Sequence, residues 1–284
     1  MSKRNMLLGH SGCELLLMQD NSPLFVRKIS SNAKYNNRLK KQYIKQHKYI
    51  DSEYVLSPKV IKTGFLDDKF YFDMEFIKGR TLAEHSKYIS LKEISKFITI
   101  LFNSLDTQNT QLSKNANEIF NNKIETLLPN LPNLLTIKNA ISILQNFDWK
   151  YVYKSKCHGD LTLENIIVTA NNKLYLIDYL DSFYNSWLID IAKLLQDLEL
   201  KWSFRKETIN TTQSIRLLVA KEALFKKILS LDNNYELITT IYHILLLNIL
   251  RIYPYTNDNS TLLYLEDVLN FLLQKIASIK KERL

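Results

Sequence analysis

Over residues 5–77 the apolar positions fall in short runs with period-two alternation, LLGHSGCELLLMQ, SPLFVRKIS and DKFYFDMEFI, with turn-forming residues between them. Strands that bury one face read this way, so the pattern predicts a small antiparallel sheet. Residues 33–49 break the alternation. They lack Gly and Pro and carry Leu39, Tyr43, Ile44 and His47 at intervals of three and four, which predicts a helix crossing that sheet with a cationic outer face.

Beyond residue 80 the apolar period becomes helical. Thr81 and Ser90 stand where helix caps belong, before runs that begin at Leu82 and Leu91. Apolar-periodic segments without internal Gly or Pro follow at 91–105, 119–128, 137–144, 188–198, 215–229 and 238–252. One island, IIVTANNKLYLIDYLD, alternates instead, and Asn171-Asn172 at its centre predicts a hairpin turn. The expected organisation is α+β: a β-rich part at 1–77 with one helix, a connector Lys78-Gly79-Arg80 at 78–80, and a larger, mainly helical part at 81–284.

Composition fits a folded protein, with 46% hydrophobic and 24% charged residues, well away from the polar extreme of disordered chains. Cys13 and Cys157 are the two cysteines, which gives neither a disulfide framework nor a CxxC pair, so reduced thiols and a cytoplasmic location are expected and zinc chemistry is not. The apolar stretch near the N-terminus is too short for a signal-peptide core, and the run at 244–250, broken by Asn248, falls short of the roughly 20 residues of a membrane span.

The net charge of +9 is local. Residues 21–50 contain Arg27, Lys28, Lys34, Arg38, Lys40, Lys41, Lys45 and Lys48 and no acidic residue. Such a stripe is either a solvated helix face or an anion site. Aromatic interleaving and finger patterns are absent from it, so a nucleic-acid partner is not expected.

The chemistry-bearing pattern is CHGDLTLENII followed by the hairpin and IDYLD. Asp160, Asn165 five residues on, and Asp178 thirteen residues after that are three oxygen-bearing side chains in the order Asp, Asn, hairpin, Asp. Magnesium-assisted phosphoryl transfer needs such a set. The passage resembles the catalytic loop and metal-binding strand of the protein-kinase-like fold, and specifically those of the aminoglycoside phosphotransferase and choline kinase-like superfamily. The resemblance implies a two-lobed fold with a nucleotide-binding N-lobe at 1–77, a hinge at 78–80, and a catalytic, acceptor-binding C-lobe at 81–284. It implies ATP and Mg2+ as cofactors, Asp160 as the base that takes the acceptor hydroxyl proton, and Asn165 and Asp178 as catalytic metal ligands. Asp181 matches an acidic position on the acceptor side or of structural use, and Asp190 the aspartate that braces the catalytic loop. In the first part, Gly9, Ser11 and Gly12 match the phosphate-covering turn. Lys28 matches the phosphate-binding lysine, sharing a strand face with Val26 while Arg27 points away. Glu75 and Ile77 match the hinge whose backbone meets adenine.

Two departures from the family pattern stand out. The helix after Lys28 carries no glutamate to pair with it, leaving Gln42, or Asp51 and Glu53 just beyond, as candidates. His10 also occupies a turn position often filled by glycine. Gly159 and Thr162 replace the arginine and lysine of protein kinases, and eleven residues between Asp178 and Asp190 leave no room for an activation segment. The resemblance therefore implies a small-molecule acceptor with a hydroxyl group: a sugar, a polyol or an amino alcohol. Tyr179, Tyr184, Trp187 and Trp202 are candidates for an aromatic box around a quaternary ammonium, or else core. The run from 177 to 202 also looks like phosphotransferases associated with surface-polysaccharide synthesis. Two other readings stay open at this stage, a catalytically weak regulatory protein that binds nucleotide, and a basic module for nucleic acid or anionic lipid.

Overall fold

The computed structural model describes residues 3–7, 13–19 and 24–282, and these form two compact units. One comprises the chain up to His85 together with Glu164–Asp181; the other comprises Ser86–Leu163 with Ser182–Leu284. Residues 164–181, expected with the helical part, pack instead with the β-rich one.

The first unit contains β1 (Lys3–Leu7), β2 (Cys13–Gln19), β3 (Phe25–Ser30), α1 (Asn36–His47), β4 (Val55–Leu56), β5 (Val60–Leu66), β6 (Lys69–Glu75), β7 (Arg80–Thr81), α2 (Leu82–His85), β8 (Ile166–Val168) and β9 (Leu174–Leu176). Its main sheet is antiparallel in the order β1-β2-β3-β6-β5. Strand β5 lies outside the predicted set because its outward residues Ile61 and Phe65 are 60% and 58% exposed, which blurs the alternation. It turns into β6 through Asp67 and Asp68, both at positive φ, the geometry a tight two-residue hairpin demands. A second sheet, β4-β9-β8-β7, explains the reassigned segment: β9 pairs in parallel with β4, and β8 pairs with β7. Gly79, just before β7, lies so close to β8 that a Cβ would stand 2.4 Å from the Val168 carbonyl oxygen.

The core of this unit joins Val26, Phe72 and Met74 of the sheet to Leu39 of α1, with Tyr43 packed against them. The helix is where predicted, but its buried stripe differs. Leu39, Gln42 and Gln46 point inward while Ile44 is 43% exposed and His47 faces solvent. Both buried glutamines place their amide nitrogens on an acceptor: Gln46 Nε2 donates to the Pro58 carbonyl at 2.9 Å, and Gln42 Nε2 donates to the Tyr35 hydroxyl at 3.3 Å, while the buried Gln42 Oε1 accepts no hydrogen bond.

The second unit is helical: α3 (Leu91–Ser104), α4 (Ala116–Leu127), α5 (Leu135–Gln145), α6 (Trp187–Leu198), α7 (Thr211–Leu229), α8 (Asn234–Leu250) and α9 (Asn259–Glu282). Ser90 opens α3 with a capping box, its hydroxyl accepting from the Glu93 N–H at 3.2 Å while Glu93 reaches back to Ser90. Residues 234–255 are long and apolar enough, by length and composition alone, to cross a membrane. In this fold 72% of that window is buried, and α8 packs against α6, α7 and α9. A helix apolar on all sides is what the centre of a helical unit requires. Helix α9 extends the helical part beyond the predicted segments, burying Leu265, Leu269, Leu272 and Ile276 along one stripe.

Candidate functional site

In the first unit the site grows from strand alternation. Val26 and Lys28 of β3 face inward, 8% and 3% exposed, while Arg27 turns to the other face and grips Asp73 through two bonds of 2.7 and 2.8 Å. A buried ammonium is costly unless it is paired, and Lys28 Nζ donates to Asp178 Oδ1. Burial acts to lower the Lys28 pKa, and the Asp178 carboxylate more than offsets it, so Lys28 stays charged. Lys28 and Asp178 both line a cavity of about 140 Å³ whose other walls include Leu15, Val26, Met74, Ile77 and Ile177. Glu75 and Phe76 also border it. The Glu75 backbone N–H donates to the Lys59 carbonyl at 3.0 Å, and its carboxylate accepts the Lys59 N–H at 3.0 Å, which ties the strand end to the preceding loop.

The β8–β9 hairpin positions Asn165 and Asp178. Its turn has Asn172 at φ 58, as the Asn-Asn sequence predicts, and its register aligns Ile166 with Leu176. One step outward, the Ile177 N–H donates to the Asn165 carbonyl at 3.0 Å, so Asn165 and Asp178 sit at the same end of one hairpin. Asp178 adopts φ 60, a left-handed conformation that costs a non-glycine residue about 1–2 kcal/mol. Its side chain is 35% exposed. An amide and a carboxylate oxygen at one hairpin end suit a hard cation such as Mg2+, which takes one or two protein oxygens and completes its shell with phosphates and water. Among the described residues no group of three or more His, Cys, Asp or Glu forms a closed metal cage.

Asp181 pairs with Lys41 of α1 at 3.2 Å, and Lys45 donates to the Leu180 carbonyl at 2.8 Å. Together with the Arg27 and Lys28 pairs and Lys40 over the Phe65 ring at 5.0 Å, these contacts engage much of the basic stripe within the unit itself. Asp51 accepts from the Ser57 N–H at 2.9 Å, and Glu53 is bonded by Tyr54. The carboxylate that holds Lys28 is thus Asp178, and Gln42 binds Tyr35. Gly9, Ser11 and Gly12 lie outside the described residues.

In the second unit, one face of α6 holds the loop that carries Asp160. The Asp190 carboxylate, 1% exposed, accepts the N–H groups of His158 and Gly159 at 2.7 Å each. Gly159 has φ 92, which a side chain would resist, and this turn points both N–H groups the same way. One turn on, Lys193 Nζ meets Asp160 Oδ1 at 3.0 Å. A further turn on, Asp197 accepts the Leu163 N–H at 2.6 Å and the Ser203 N–H at 2.9 Å. Asp190, Lys193 and Asp197 fall at i, i+3 and i+7 and so share one helix face. Burial pushes the Asp160 carboxyl up, but Lys193, with smaller contributions from His158 and Arg251, holds it below the usual carboxylate range.

Asp190 meets the loop that carries Asp160, and Lys193 and Asp197 meet the same segment from the same helix face, contacts that the motif alone does not mark. Their signal is charge in the otherwise apolar helix WLIDIAKLLQDL, where a buried ionised group must have a partner. Replacing Asp190 by Ala leaves two buried N–H groups without an acceptor. It is expected to cost about 2–5 kcal/mol, read as a lower urea midpoint at unchanged slope.

Three of the four candidate box aromatics are core. Tyr184 is 6% exposed with its hydroxyl on the Val152 carbonyl at 3.0 Å, Trp187 is 1% exposed against Phe102, and Tyr179 is 3% exposed beside Tyr49. Trp202 is covered by the Arg205 guanidinium at 3.8 Å.

No protein-family profile and no curated protein sequence matches the chain. Solved structures do. An amicoumacin kinase in complex with AMP-PNP, Ca2+ and amicoumacin aligns over 96% of this chain and 87% of its own, at 13% identity and a TM-score of 0.56. The choline kinase LicA from Streptococcus pneumoniae aligns over 97% and 94%, at 15% identity and a TM-score of 0.53. An aminoglycoside-3'-phosphotransferase of type VIII aligns over 86% and 93%, at 14% identity and a TM-score of 0.52. The chain has the kinase-like fold of these enzymes, as the catalytic-loop motif implies.

Proposed function

We propose that the protein is an ATP- and Mg2+-dependent phosphotransferase acting on a hydroxyl of a small metabolite. The observation that carries this reading is the buried Lys28 ammonium paired with Asp178 beside an apolar cavity, on a chain that also carries Asp160 and Asn165 at the motif spacing. In this reading the cavity takes the adenine, with the backbone at Ile77 as its polar edge, and Lys28 turns its charge to the phosphates. Asn165 and Asp178 hold Mg2+, which when bound neutralises charge on the phosphate oxygens. Asp160 accepts the proton of the acceptor hydroxyl as that oxygen attacks the γ-phosphorus and the bond to the β-phosphate oxygen breaks.

The acceptor is read as a sugar, a polyol or an amino alcohol. The likeness to an aminoglycoside, a choline and an amicoumacin kinase supports a small-molecule acceptor, while the buried aromatics argue against a quaternary-ammonium box built from Tyr184 and Trp187. A coupled ADP-release screen with ATP and Mg2+ over sugars, polyols, amino alcohols and aminoglycosides tests this reading. One acceptor class is expected to stimulate ADP release in the wild type. Magnesium-dependent ATP binding with no stimulation by any class would favour a regulatory nucleotide-binding protein instead.

A further inference from the structure

Asp178 holds a left-handed φ of 60, and a non-glycine residue stays in that conformation only where its surroundings over-determine the backbone. On its N-terminal side the hairpin does this, through the Ile177 N–H on the Asn165 carbonyl. On its C-terminal side the contacts come from α1. Lys45 Nζ donates to the Leu180 carbonyl at 2.8 Å, and Lys41 Nζ meets Asp181 Oδ2 at 3.2 Å. The Tyr49 ring, just past the helix end, lies 5.8 Å from that of Tyr179. Lys41 and Lys45 are four positions apart and share one helix face, and Tyr49 extends the row by four more. The row meets residues 181, 180 and 179 in turn. Helix α1 is itself fixed to the main sheet, with Leu39 in the core beside Phe72 and Met74, and with Asn36 bonded to the Asp68 carbonyl at 2.7 Å and to the Phe70 N–H at 2.8 Å. The glutamate that the family pattern places on this helix is absent, and the helix is joined instead to the segment that carries the other half of the Lys28–Asp178 pair.

We infer that Lys41 and Lys45 are positioning residues for Asp178: from one face of α1 they hold the carbonyl and the carboxylate that follow it, and so set the Asp178 side chain where it meets Lys28 and a divalent cation. For the cation, this rests on the phosphotransferase reading. Lys41 is 65% exposed, so its pair with Asp181 contributes little to stability by itself. Its consequence lies in geometry. Charge alone has the opposite sign, because two ammonium groups beside a cation site repel the cation, and removing them with Asp178 unmoved would tighten cation binding. Weaker binding after their removal therefore reports a displaced carboxylate.

The test compares wild type with the double variants Lys41→Met/Lys45→Met and Lys41→Arg/Lys45→Arg, using Mn2+ as the probe and AMP-PNP as the nucleotide. Electron paramagnetic resonance of Mn2+ reads its affinity for the protein with AMP-PNP bound. The Met pair is expected to weaken Mn2+ binding about tenfold, as loss of groups that orient a metal ligand does, while metal-free AMP-PNP affinity changes by less than about threefold. The Arg pair keeps a cationic donor at both positions and should restore most of the Mn2+ affinity. A second arm needs neither metal nor nucleotide. Asp178→Ala is introduced into wild type and into the Met pair, and the shifts of the urea midpoint are compared. In the Met pair the shift is expected to be less than about half that in wild type, because a displaced carboxylate already holds Lys28 less well. Equal shifts, or Mn2+ binding that is unchanged or tighter in the Met pair, overturn the assignment. A wild type that binds no Mn2+ contradicts the phosphotransferase reading alone, and the urea comparison then decides what the two lysines do to Asp178.

Discussion

Asp160→Asn is expected to lower turnover by about 10²–10⁴-fold while ATP affinity stays within about twofold, the signature of a lost general base. The substitution keeps the size of the side chain and one acceptor oxygen for Lys193, and the Asp190 and Asp197 clamps hold the same backbone. The fold should therefore survive. What disappears is the negative charge that, in the proposed reaction, would take the acceptor proton. Since Lys193, His158 and Arg251 hold the Asp160 carboxyl below the usual carboxylate range, the wild-type base is already ionised throughout neutral pH and its activity should fall only on strong acidification. The linked stability has the same sign: the contribution of the Asp160–Lys193 pair is complete above the unfolded carboxylate pKa and is lost as pH drops through the depressed folded value. Steady-state kinetics against ATP and acceptor, beside isothermal titration of ATP, separate the two effects.

Asp178→Ala is expected to act twice. Turnover should fall by about 10³-fold, because a group that stabilises charge on the transferring phosphoryl is worth several kcal/mol. Magnesium-dependent nucleotide binding should weaken in parallel. The second effect is on the protein itself: Lys28 is 3% exposed and loses the carboxylate that holds it, an uncompensated buried charge. Because Asp178 is one-third exposed, water reaches the site and the cost is about 2 kcal/mol. Relief of the left-handed φ at 178 offsets none of it, as Ala is no better suited there than Asp. A double variant, Lys28→Met with Asp178→Ala, should regain part of that stability and none of the activity. Urea unfolding of the single and double variants, with ATP titrations at several Mg2+ concentrations, reads both effects.

Much of this arrangement is legible in the residues, and the exceptions have physical causes. Alternation placed β3 and with it the inward face of Lys28, and the Asn-Asn turn placed the hairpin that aligns Asn165 with Asp178. Strand β5 escaped because an edge strand exposes both its faces, and β4 and β7 are two-residue pairings with no period to detect. The inward glutamines of α1 mislead any reading by hydropathy, since their burial depends on a carbonyl and a hydroxyl contributed by distant segments. Helix α9 shows the opposite case. Its stripe from Leu265 to Ile279 is visible at spacings of three and four, and the predicted helices simply stop short of it. The partner of Lys28 was the least legible feature. The family pattern asks for a glutamate on α1, and the carboxylate arrives instead from a residue 150 positions away. Lys193 is hidden for a similar reason, because a lysine within a helix reads as a surface residue until its contact is known.

The central claim is that Asp160, Asn165, Asp178 and Lys28 move a phosphoryl group from ATP to a small hydroxylated acceptor. It is tested most directly by single-turnover transfer from γ-labelled ATP in the presence of Mg2+ and the acceptor selected by the ADP-release screen. The account predicts that label appears on the acceptor in step with ADP, and that Asp160→Asn loses this transfer while still binding ATP. Label that stays on ATP or emerges only as inorganic phosphate in the wild type, or transfer by Asp160→Asn at the wild-type rate, would contradict it.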